Sequence, residues 1–138
     1  MNYVDHVLLS RFYQIAKIST FYLDTIINQT SNDNLKTLIS NQLSNYDVIA
    51  NECNMLAKAH SVTLPDHTFF KRCKQIIEDN FNSVKATPQL IIAGTTMLSL
   101  STLIEIYNVE SADTETIRIG KHLQTMQENN LQILQQIK

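Results

Sequence analysis

The sequence predicts an all-α fold: a four-helix bundle of two helix hairpins, joined by a long connection that holds a shorter helix. Three observations predict it. Apolar residues recur at alternating steps of three and four along every long segment, which marks a helix with one buried stripe. Two glycines and two prolines in 138 residues leave too few turn signals for an all-β fold. The polar turn at 29–33 is short enough to fold two helices back on one another.

The first helix is predicted over residues 3–28. Leu8, Phe12, Ile15, Tyr22 and Ile26 form its stripe, with Ser19 as the one polar member. Val7, Leu9, Ala16, Leu23 and Ile27 widen it, as suits a helix packed against two others. Ser31 or Asn32 can cap the next helix, and Asp33 in its first turn complements the helix dipole.

The second helix is predicted over residues 33–60. Leu35, Ile39, Gln42, Tyr46, Ile49, Cys53 and Leu56 keep the spacing. Gln42 and Tyr46 are polar residues at inward positions. A hydrogen bond between helices is the plainer reading of the pair, and the remnant of a ligand site is the other.

Residues 61–66 break the pattern, with Pro65 as punctuation. Asp66 can cap a shorter helix over 67–82. Phe69, Phe70, Cys73, Ile76, Ile77 and Phe81 are its apolar face; Lys71, Arg72 and Lys74 are its wet face. Such a helix spans ~24 Å, so the connection 61–87 can act as a crossover between the two ends of the bundle.

The fourth helix, Pro88–Tyr107, is drawn mostly from the longest uncharged run of the chain, between Lys85 and Glu105. Thr87 is its predicted N-cap, and Pro88 fits the first helical position. Nearly half of that run is Thr, Ser, Gln, Gly or Pro. It therefore reads as the central helix of a soluble bundle rather than a membrane span. The stripe Leu90, Ala93, Met97, Leu100, Ile104 and Tyr107 is predicted to face the core. The outer face then carries Ile91, Thr95, Ser99, Thr102 and Ile106, without a charge. A solvated helix face normally carries charges. Something should cover this one: either the 67–82 helix, through Phe69, Phe70 and Ile77, or a second copy of the chain. Two-fold homodimers are the commonest assembly, so a homodimer through the outer face of Pro88–Tyr107 is the favoured expectation.

A fifth helix is predicted over 113–136, after a short connection at 108–113. Ile119, Leu123, Met126, Asn130, Ile133 and Ile137 form its stripe. Gly120 costs ~1 kcal/mol of helix propensity, so a close approach between helices is expected there.

The whole chain narrows the function classes. At 138 residues it reads as one domain with a real core. A net charge of −2 gives no electrostatic footprint for nucleic acid. The N-terminal residues lack the basic segment of a secretory signal, so the Asn28-Gln29-Thr30 sequon carries little weight. Cys53 and Cys73 do not make a disulfide framework. The cytoplasm, with both thiols reduced, is the expected compartment.

Two hairpins with a long middle connection make the ferritin-like arrangement. The segments NLKTLISNQLSNYDVIANEC, LPD and IIAGTTM also resemble small bacterial proteins of that class, including uncharacterised ones and those similar to the spore coat protein F group. The resemblance covers nearly the whole chain and implies a ferritin-like fold, with the spore coat as an alternative location. Ferritin-like oxidases need a Glu on each of two helices and Glu-x-x-His on each of the other two. No Glu-x-x-His occurs here: none of His6, His60, His67 and His122 follows an acid by three residues. Glu52, Glu105 and Glu128 supply one acid each to three helices. This departure argues against oxidase and iron-storage roles.

Other chemistry is equally unmarked. Cys53, His60, His67 and Cys73 form a spaced Cys/His set. Cys53 and His60 stand two turns apart, ~10 Å, too far to share a zinc ion on one helix. No nucleophile elbow, phosphate loop or dinucleotide fingerprint is present. The expectation is a non-catalytic structural or protein-interaction bundle, with no cofactor and no metal. The alternative is a metal or small-ligand binder using Gln42, Tyr46, Glu52, Glu105 and Glu128.

Overall fold

The computed structural model describes residues 1–107 and 114–137, so the predicted connection at 108–113 lies outside the described residues. Five α-helices follow one another: α1 (Tyr3–Ile26), α2 (Asp33–Ala59), α3 (His67–Phe81), α4 (Pro88–Tyr107) and α5 (Thr114–Gln135). One turn of 3-10 helix, Ile27–Gln29, closes the end of α1. No strand occurs among the described residues.

The helix starts lie where polar side chains can accept orphan N–H groups. Asn32 accepts from the Leu35 amide at 3.1 Å, Asp66 from the Thr68 amide at 3.0 Å, and Thr87 from the Leu90 amide at 3.2 Å. Asn2 caps α1 through the Asp5 amide at 2.8 Å.

Two contacts fix the course of the chain. The ring Nε2 of His6 bonds the Thr63 carbonyl at 2.7 Å, so the α2–α3 loop sits at the start of α1. The Ala86 amide bonds the Gln29 carbonyl at 3.2 Å, so α4 starts at the far end of α1. The connection 61–87 therefore crosses the full length of the bundle. Taking α1 as up, α2 and α4 both run down and α5 runs up.

The long helices meet as α1–α2, α2–α5, α5–α4 and α4–α1, the four sides of a square. α1 also touches α5 across the diagonal and carries α3 on its outer side. It is thus the helix packed on every side, which corrects the expectation that Pro88–Tyr107 is central. The stripes predicted for the first two helices are buried throughout, from Leu8 to Ile26 and from Leu35 to Leu56. Each such fully buried aliphatic side chain contributes about 1.5–3 kcal/mol.

The face of α4 is opposite to the one predicted. Ile91, Thr95, Ser99 and Thr102 are buried, and Ile106 is half-buried against the core. Ala93, Met97, Leu100, Ile104 and Tyr107 point outwards, with Leu90 half-buried. The reason is shape. Small residues let α4 approach its neighbours closely. At Gly94 a Cβ would stand 2.7 Å from a Tyr22 ring carbon, and the Tyr22 hydroxyl donates to the Leu90 carbonyl at 2.9 Å. The inward Thr102 hydroxyl bonds its own helix at the Leu98 carbonyl, so burying it leaves no donor unpaired.

Two further expectations change. α3 packs on α1, not across α4: Phe70, its one buried residue, meets Tyr13 and Phe21 edge-to-face at 5.6 and 5.9 Å. On α5 the predicted Ile119, Leu123, Met126 and Asn130 are buried, but the inward face widens to Thr116, Gly120, Gln127 and Leu134, while Ile133 is exposed and Ile137 half-buried.

Candidate functional site

The three glutamates that the ligand-binding alternative needs do not converge. Glu52 on α2 lies 3.1 Å from Nδ1 of His122 on α5. Glu105 on α4 pairs with Arg11 on α1 at 3.4 Å. Glu128 accepts from the Gln124 amide of its own helix at 2.8 Å. These are three separate, partly solvated contacts. Among the described residues, no group of three or more His, Cys, Asp or Glu side chains could hold a metal ion.

The Cys/His set is likewise dispersed. Cys53 is buried in the core, and Cys73 is half-buried on α3. His60 faces Glu115 at 4.0 Å, and His67 opens α3. Burial first, and the neighbouring Glu52 second, push the Cys53 thiol up to about 12, so it is a packing group and not a nucleophile at neutral pH.

Inside the bundle lies a polar layer. Tyr46 is fully buried, which pushes its phenol above the usual 10.0; Ser19 and Gln127 beside the hydroxyl hold part of that rise back. Ser19 donates its own hydroxyl to the Ile15 carbonyl at 2.7 Å, which leaves its oxygen free to accept from Tyr46. Tyr46 thus faces inward as expected, with its phenol beside side chains of α1 and α5. For Gln42 the expectation is corrected: at 1% exposure it has neither amide atom hydrogen-bonded. Gln127, at 0% exposure, turns its amide toward the Tyr46 phenol at less than full hydrogen-bond geometry. On the α4 side the Gln124 amide donates to the Ser99 hydroxyl at 3.3 Å. No imidazole and no carboxylate stands among the described partners of the Tyr46 phenol.

The outer face of α4 is the other feature. Met97, Leu100, Ile104 and Tyr107 are 67%, 50%, 56% and 80% exposed. With Ala93 they repeat at steps of four, three, four and three, the spacing of a coiled-coil seam. Over 93–107 the row runs ~21 Å. Near its lower end, the exposed Tyr3 and Val4 of α1 line a shallow pocket of ≈ 160 Å³ with Val7, Leu8 and Glu105. By length and composition α4 is also the one helix among the described residues able to cross a membrane.

Sequence reasoning missed Gln127 and the outward row. The first was legible, because Gly120, Leu123, Gln127, Asn130 and Leu134 also keep the three-four spacing. The second was seen as a row but turned the wrong way.

No family model, curated protein or solved structure matches this chain.

Proposed function

We propose that the chain is a non-catalytic structural module on a ferritin-like scaffold, and that it assembles with a second copy of itself through the outer face of α4. The up–down–down–up order, with a full-length crossover, supports the scaffold. One observation carries the assembly: α4 turns its hydroxyls inward and its large apolar side chains outward.

The spacing of the row fits a helix as its partner. A second copy fits best, because the row is complementary to itself. An antiparallel pairing about a two-fold axis at Leu100 sets Met97 of each copy against Ile104 of the other. The same pairing sets Ala93 against Tyr107, small against large. Two tyrosines, Tyr3 and Tyr107, and three aliphatic residues supply several hundred Å² of apolar surface, against the ~800 Å² per partner of a standard interface. A cytoplasmic location rests on the sequence features alone, and a spore-coat location on the resemblance alone.

The test exploits the two-fold axis. Leu100→Glu and Leu100→Lys each place like charges face to face, so each variant alone is expected to sediment as a monomer. A mixture of the two in equal amounts regains the dimer mass. Both variants keep the wild-type melting behaviour at low concentration, because Leu100 is on the outside. A wild-type protein that stays monomeric at millimolar concentration rejects the dimer. Wild-type protein that co-floats with lipid vesicles, while Leu100→Glu does not, assigns the face to a membrane surface instead.

A further inference from the structure

A second region, away from α4, concentrates positive charge over aromatic surface. A cleft of ≈ 490 Å³ opens between α1 and the first two turns of α3. Tyr13, Lys17 and Phe21 line it from α1, at steps of four. His67, Lys71 and Lys74 line it from α3, with Phe70 at the base.

The charge is out of proportion to the chain. Of 11 Lys and Arg residues in a protein of net charge −2, three converge on this one cleft. Lys74 has a partner in Glu78, at a long 3.9 Å. Lys17 sits 5.7 Å above the Phe21 ring, and neither it nor Lys71 has an ion pair among the described residues. Asp66 is the one acid in the lining, and its carboxylate is engaged by the Thr68 and Phe69 amides at 3.0 and 3.4 Å. The first amides of α3 are thereby occupied, so an anion here is held by side chains rather than by the helix end. Lys17 and Lys71 therefore face the cleft without an ion pair, and the three lysines outnumber the single carboxylate of the lining.

The base is rigid. Phe70 is buried and locked edge-to-face between Tyr13 and Phe21, with Phe69 at 5.2 Å on its other side. Phe70 thus anchors α3 to α1, while Tyr13, Phe21 and the His67 ring offer planar surface beside the ammonium groups.

We infer that this cleft binds a small phosphorylated molecule that carries a planar ring, of mononucleotide size. The volume falls within the range of small-ligand sites, ~300–1,000 Å³. A phosphate monoester brings close to two negative charges at neutral pH, which Lys17 and Lys71 match, with Lys74 released from Glu78 as a third donor. The planar ring occupies the aromatic half.

Adenosine 5′-monophosphate is the probe, with adenosine and inorganic phosphate as its two halves, followed by NMR on the labelled full chain. The expected result is saturable shifts confined to Tyr13, Lys17, Phe21 and 67–74, weakening as salt is raised. Lys17→Ala and Lys71→Ala are each expected to weaken binding about tenfold, the loss of one charge-assisted contact. Both lysines lack ion pairs, so the variants should keep the wild-type spectrum without ligand. Shifts that do not saturate, or that survive both substitutions, overturn the site. Inorganic phosphate binding as tightly as the mononucleotide overturns the assignment of a ring-bearing ligand. The Leu100 variants leave this binding unchanged if the site is independent of the α4 face; loss of binding in the monomeric Leu100→Glu protein overturns a site complete within one chain.

Discussion

Gly120 of α5 lies directly under the ring of Phe12 of α1: a Cβ on that glycine would stand 2.3 Å from Cζ of the phenylalanine. Phe12 is fully buried, so its ring has nowhere to retreat. Gly120→Ala is therefore expected to destabilise the fold by about 1–3 kcal/mol, although alanine is the better helix former. Phe12→Leu in the same chain should recover part of that loss. Urea unfolding of the two single variants and the double variant measures the coupling. An additive result means that the helices are farther apart than described.

The unpaired amides of Gln42 and Gln127 should be a weakness of the core. A buried polar group without a partner costs about 1–3 kcal/mol. Methionine has nearly the same shape and needs no hydrogen bond. Gln42→Met and Gln127→Met are each expected to raise the urea midpoint. A lower midpoint would show that the amides hold bonds in solution, for example to buried water.

Tyr46→Phe removes the phenol from Ser19 and Gln127. The expected loss is about 1 kcal/mol, typical of one hydrogen bond. Repeating the change in a Ser19→Ala background should cost clearly less. Equal losses in both backgrounds would put the hydroxyl elsewhere.

Alkaline pH should unfold the protein through its buried acids. Burial raises Cys53 from 9.0 to about 12, and Tyr22 from 10.0 to about 12. Each holds its proton more tightly in the folded state. Their contribution is thus fully present below the unfolded pKa and is lost as pH rises through the folded one. Stability should be flat up to pH 9 and fall between pH 9 and 12, with the thiol responsible for the onset and the phenol joining at 10. Cys53→Ala lowers stability at every pH but delays the alkaline onset by about one pH unit. An unchanged onset in that variant would mean that the thiol ionises freely in the folded protein.

With Glu52, Glu105 and Glu128 held in three separate contacts, no transition metal should purify with the chain in stoichiometric amount. Dialysis against a chelator is expected to leave the melting temperature unchanged. A metal found by elemental analysis and lost in Glu52→Ala or Glu128→Ala would refute this.

The sequence by itself determined the helices, the caps of α3 and α4 and two of the buried faces. α1 and α2 each carry one apolar stripe with polar residues opposite, so the 3.6-residue period has a phase, and Leu8, Phe12, Ile39 and Ile49 had one way to turn. The inward Tyr46 followed from the same period, and the close approach at Gly120 from the cost of a glycine inside a helix. Only the tertiary structure decided which face of α4 is inside. From Pro88 to Ile104 that helix is apolar or uncharged all round, so hydrophobicity assigns it no phase. Side-chain size settles the matter: Gly94, Thr95, Ser99 and Thr102 fit the narrow groove between α1 and α5, where Met97, Leu100 and Tyr107 do not. The unpaired state of Gln42 and the meeting of Lys17 with Lys71 were also beyond the sequence. Both depend on how helices far apart in the chain are set against each other, and the register within a single helix does not contain that distance.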